Sequence, residues 1–207
     1  MRLRFGRVSA SGGFVVMAAL VYLFDTRGFV PLLILVALVH ELGHFVAIWA
    51  LGGQVLRLDR GLVGLRTDYE GRRVGYPGEI GIALMGPAAN LALAYGASLL
   101  GRHTGSETAF FLAGISLGAS VFNLLPIYQL DGGRALYCFM AWAVDADWGG
   151  RVICVISCVL IFLLLLAGLL LFYWSTWNFT LLTAAIWLFI SYCKSEGSAV
   201  KYAVAEY

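Results

Sequence analysis

Long apolar runs separated by short polar breaks dominate this chain. Six runs are of helix length: residues 8–24, 29–51, 80–100, 109–125, 152–174 and 177–193. The run 152–174 holds no charged residue, and at a rise of about 1.5 Å per residue it can cross roughly 30 Å of hydrocarbon. The one substantial polar break is 52–78. Within it, 54–59 and 62–69 alternate partly between apolar and polar positions, Gly61 separates them, and Asp68-Tyr69-Glu70-Gly71 suits a turn. These features predict two or three short strands, with an edge to which an extended peptide could add. The expected fold is an all-α polytopic membrane protein of about six transmembrane helices, with a small cytoplasmic-side β-hairpin region between helices two and three. It is read as one domain over 1–207, with no room for a further regulatory module.

Composition agrees with that class. The chain is 61% hydrophobic and 13% charged, where soluble domains carry roughly 25% charged residues. Arg2, Arg4 and Arg7 precede the first run as they would in a secretory signal. That run lacks a small-residue cleavage site and the next follows at once, so it is kept as a helix. With the N-terminus inside and six crossings, twelve of the fourteen Lys and Arg residues face the cytoplasm, and only Arg27 and Arg102 face out. By the positive-inside rule both termini are expected to be cytoplasmic, in a multi-pass cell-membrane protein. A net charge of +2 gives no basis for binding nucleic acid. Cys138, Cys154, Cys158 and Cys193 show no C-x-x-C spacing and read as small packing residues.

Against this apolar background one polar cluster stands out. Two of the three histidines flank a glutamate in His40-Glu41-Leu42-Gly43-His44. Positions i and i+4 share a helix face, so both imidazoles can reach one ion, and H-E-x-x-H is the spelling of a zinc hydrolase. Ionisable groups at membrane depth are costly and usually functional. If the second helix ends near Leu51, His44 and His40 lie ~10 and ~16 Å from the cytoplasmic end. A catalytic zinc usually takes three protein ligands. His103 sits beside Arg102 in a short loop on the other side and reads as an ordinary surface histidine. Among the carboxylates Asp131 is the best third ligand, since it lies at the same end as His44. Glu41 can accept a proton from the attacking water and pass it to the leaving nitrogen, and an amide such as Asn90 or Asn123 could stabilise the developing oxyanion. Asn90 also reads as interhelical glue, behind Gly86-Pro87 in a helix rich in small residues. Pro126 and Gly132-Gly133 predict a helix break, with Asp131 near the start of a new stretch, 134–143.

Three segments together resemble the site-two proteases, the intramembrane zinc metalloproteases: His40-Glu41-Leu42-Gly43-His44, Gly86-Pro87-x-x-Asn90 and Asn123-x-x-Pro126-x-x-x-Leu130-Asp131-Gly132. The resemblance covers about 29–133 and, by overall size, is nearest to the bacterial branch that processes a sporulation sigma-factor precursor, without the CBS or PDZ domains found elsewhere in the family. It implies one Zn2+ held by His40, His44 and Asp131, Glu41 as the acid/base, and Asn90 and Asn123 as substrate or transition-state contacts. The implied substrate is a membrane-associated or single-span protein cut in or beside the bilayer, in regulated intramembrane proteolysis. The alternatives are a non-catalytic zinc-stabilised membrane scaffold that binds client helices, and a metal or proton transporter. The scaffold would be expected to lack Glu41 or a ligand. The transporter would be expected to carry ionisable groups in its last two spans.

Overall fold

The computed structural model describes residues 2–5, 8–11, 28–52, 54–61, 64–70, 75–174 and 180–204, in two units, Met1–Leu124 and Leu125–Tyr207. In the first unit, helix α1 (Phe29–Ala50) follows Gly28, whose φ of 71° lies in the left-handed region that favours glycine. Helix α2 (Tyr76–Thr104) opens with Pro77 and carries Glu79 in its first turn, both suited to a helix N-terminus. It stops at Gly105, with φ of 68° and an N–H bonded to the Gly101 carbonyl at 2.8 Å. Helix α3 (Glu107–Asn123) starts at once, capped by Ser106 Oγ, which accepts the Ala109 N–H at 3.3 Å.

Small residues let α1 and α2 approach closely. A Cβ on Gly43 would strike the Met85 carbonyl oxygen and come 2.9 Å from Ala89 Cβ, so only glycine fits that crossing. Ala47, Ile48 and Ile82 form a buried cluster beside it. Helix α3 is tied to α2 by the buried Ser120 hydroxyl, which donates to the Pro87 carbonyl at 2.9 Å. The Phe29 and Phe111 rings stack at 4.3 Å. The outward side chains of α1, among them Leu33, Ile34, Leu38, Leu42 and Val46, are exposed. That surface suits lipid rather than water.

The strands form a four-stranded sheet in the order β1 (Arg2–Phe5), β2 (Val8–Ser11), β3 (Gln54–Gly61), β4 (Gly64–Glu70). Strands β1 and β2 are antiparallel, β2 runs parallel to β3 through Val8↔Leu58 and Ser9↔Asp59, and β3 pairs antiparallel with β4. A bulge lies between Val55 and Arg57.

In the second unit a non-helical stretch leads into helix α4 (Asp131–Ala143), followed by α5 (Ala146–Trp174) and α6 (Thr180–Val204). The Ser157 hydroxyl on α5 accepts the Tyr128 N–H at 2.9 Å, and Ile127 is fully buried. A Cβ on Gly133 would overlap the Ile127 carbonyl, so the glycine lets α4 start tight against the stretch before it. Gly168 lies against Leu182 of α6, where a Cβ would come 2.9 Å from Leu182 Cα. Ile153, Ile161, Ala185 and Leu188 are buried.

This architecture corrects the fold expected from sequence, an all-α protein with about six spans and one hairpin. Among the described residues three helices are long and apolar enough to cross a membrane: α1, α2 and α5. Helix α3 has 17 residues, ~26 Å of helix at 1.5 Å per residue, and the apolar part of α6 is Leu181–Cys193. The run 8–24 begins as strand β2, and its remainder from 12 lies outside the described residues, as do 177–179 of the last run. In place of a lone hairpin there is a mixed sheet in which β3 is flanked by β2 as well as β4. Hydropathy missed this because the partners of Val8 and Ser9 stand about fifty positions away in sequence.

Candidate metal centre

Helix α1 presents His40, Glu41 and His44, all half-buried, one helical turn apart at the two imidazoles. The His40 and His44 Nε2 atoms are 3.2 Å apart and the rings meet edge to face at 84°. Two nitrogens bound tetrahedrally to one zinc at about 2.0–2.1 Å would be separated by roughly 3.3 Å. The pair therefore fits a shared ion without moving. His44 Nδ1 lies 2.8 Å from the Ile82 carbonyl oxygen. That oxygen can only accept, so Nδ1 carries the proton and Nε2 keeps its lone pair.

Helix α2 supplies the wall behind the pair. Gly86 faces both rings. A Cβ there would overlap His44 Nε2, come 2.6 Å from His44 Cε1 and stand 2.9 Å from His40 Cε1. Asn90 is 1% exposed, and its Nδ2 lies 3.3 Å from His40 Nδ1. The structure thus brings His40, His44 and Asn90 together. Asn123 is the last residue of α3, and its amide donates to the Ala119 carbonyl one turn back at 3.0 Å. Asp131 is the first residue of α4 in the second unit, where a carboxylate gains from the positive end of the helix dipole. His103 is exposed in the last turn of α2. Sequence reasoning missed the Ile82 carbonyl, since a backbone acceptor leaves no mark in a sequence. In the sequence Gly86 stands out only as part of a motif, which does not show the clearance that makes glycine necessary.

The architecture can be set beside known structures. Site-2 Protease from Methanocaldococcus jannaschii superposes with a TM-score of 0.68, covering 94% of each chain at 19% identity. The fold is that of a site-two protease. Two proteins are similar by sequence. Rip3 of Mycobacterium tuberculosis is 34% identical over 137 residues, 62% of this chain and 35% of Rip3. The protein sll0528 of Synechocystis is 32% identical over 117 residues, 53% of this chain and 31% of that protein. The names of both assign them to the zinc metalloproteases. This chain spans about a third of the length of these curated relatives. No family model matches it.

Proposed function

We propose that the chain is an intramembrane zinc endopeptidase that cuts a membrane-associated or single-span protein in or next to the bilayer. The observation that carries this reading is the spacing of the two imidazole Nε2 atoms, 3.2 Å, on a helix apolar enough to lie in lipid, with Glu41 beside them. The first ligands are His40 and His44, and Asp131 is the third. Its support is its place at the start of α4, after a non-helical stretch that contains Pro126. The catalytic core then runs from about 29 to 133.

Zinc, when bound at such a site, activates water and polarises a peptide carbonyl. The chain's own residues do the rest. Glu41 takes the proton of the attacking water on its carboxylate and delivers it to the leaving nitrogen. Asn123 is the amide available to contact substrate, whereas Asn90 is buried against His40 Nδ1. The apolar surroundings exclude bulk water and strengthen each electrostatic contact. Arg2 and Arg4 in β1, Arg57 and Arg60 in β3 and Arg66 in β4 gather on one sheet, which supports a cytoplasmic face for it and cytoplasmic ends for the chain. Release of a transcription factor by such a cut is the regulated form of this activity.

The test is Glu41→Gln in cells, with fragments of membrane proteins compared by mass spectrometry against wild type, and zinc content measured on the purified proteins. The expected result is retained zinc with loss of a specific fragment pair. Continued cleavage by the variant, or wild-type protein that takes up no zinc, would overturn the reading.

A further inference from the structure

The contacts around the histidine pair read as one directed chain. Asn90 Nδ2 can only donate, so His40 Nδ1, 3.3 Å away, accepts. The His40 proton then sits on Nε2, between the two rings, and points at His44 Nε2, 3.2 Å away. His44 passes the direction on, with its Nδ1–H donating to the Ile82 carbonyl at 2.8 Å. Asn90 Oδ1 is buried and has no hydrogen-bond partner among the described residues. A cation shared by both Nε2 atoms needs a lone pair on each. His44 meets that condition as it stands, and His40 does not.

Rotating the Asn90 amide by 180° about its terminal bond cures this. Oδ1 then faces His40 Nδ1 and accepts its N–H, and Nε2 is left with the lone pair. The rotation leaves the amide with one unsatisfied group either way, since buried Oδ1 is exchanged for buried Nδ2. The amide therefore has no strong preference of its own, and the choice falls to the imidazole. We propose that Asn90 is a positioning residue for the metal centre: by turning its amide it fixes His40 in the Nδ1–H form, as the Ile82 carbonyl already fixes His44. This inference rests on the zinc reading above and assigns Asn90 work other than contact with substrate. It also explains why a side chain that is 1% exposed reaches the ring nitrogen remote from the site.

Asparagine and aspartate share an acceptor oxygen, whereas leucine has none at similar volume. The full-length protein in detergent or nanodiscs is titrated with zinc against a competing chelator, as wild type, Asn90→Asp and Asn90→Leu. Loss of an outer partner of a metal-bound histidine typically weakens affinity ~10–100-fold, so Asn90→Leu should fall in that range and Asn90→Asp should bind at least as tightly as wild type. Because Asn90→Leu could unfold, the second readout is 15N NMR of histidine-labelled wild type, simple with three histidines in the chain. It should show a protonated Nδ1 on His40 once zinc is added. Leucine binding as tightly as wild type, aspartate falling with leucine, or His40 carrying its proton on Nε2 in the zinc-loaded protein would each overturn the proposal. If wild type itself binds no zinc, it is the functional reading that fails instead.

Discussion

Replacing Gly86 by alanine tests the geometry of the centre with a single methyl group. That methyl would overlap His44 Nε2 and stand 2.6 Å from His44 Cε1 and 2.9 Å from His40 Cε1. Carbon atoms in contact settle at about 3.5–4.0 Å, so His44 would have to retreat by about 0.9 Å and His40 by about 0.6 Å. Metal–nitrogen distances tolerate about ±0.2 Å. Neither ring can therefore move far enough and keep its bond to a shared ion. Parting α1 from α2 instead would break the contact of Gly43 with Met85 and Ala89. Overpacking of this kind costs about 1–3 kcal/mol, and if it is felt on metal binding it weakens zinc affinity by ~5–150-fold. The control is Gly81→Ala on the same helix, exposed and with no atom within 4 Å of the new Cβ. The assay is zinc titration against a chelator, with thermal unfolding of each protein. Gly86→Ala binding zinc like wild type, or Gly81→Ala losing as much affinity, would refute the reasoning.

Asp131→Ala should lower zinc content in elemental analysis of the purified protein, and full occupancy would point to another third ligand. Ser120→Ala removes a hydrogen bond worth about 0.5–1.5 kcal/mol from the buried α2–α3 contact, so a small fall in unfolding temperature is expected; no fall would mean the bond contributes nothing net. Ser157→Ala leaves the Tyr128 N–H without its acceptor, which should speed proteolytic nicking of residues 124–130 relative to wild type. Stripping zinc with a chelator should lower the unfolding temperature of wild type by mass action and leave His44→Ala unmoved.

The histidine pair was legible because its shared helix face is a local property. Residues four apart on a helix share a face whatever the rest of the chain does, so His40, Glu41 and His44 could be read together from sequence. Asn90 could be singled out as a buried amide, but its partner, fifty positions away, could not. Apart from a few polar side chains helices α1 and α2 are apolar all round, so no extended polar stripe fixes the rotation of one against the other. The span count failed for a related reason. Hydropathy scores a run by composition and length, and it read on through Val8–Ser11, which pairs with β1 and β3. It also took α3 and the last run as full crossings, where the helices carry shorter apolar lengths.

Ile82, Gly86 and Asn90 are spaced by four, so they lie along one face of α2, and that face meets the histidine pair of α1. From one end to the other it offers a carbonyl to His44, clearance for both rings and an amide to His40. The Ile82 carbonyl can serve both His44 and its own helix, because a carbonyl oxygen has two lone pairs. A single helix edge thus sets the direction of both imidazoles, each through the ring nitrogen that faces away from the site. In an apolar environment no solvent molecule would do this in its place. Rotation or axial slip of α2 by even one residue would withdraw all three contacts together. The register fixed at Gly43 against Met85 and Ala89 is therefore a condition for metal binding as well as for packing, and Gly43→Ala should reduce zinc affinity without touching a ligand.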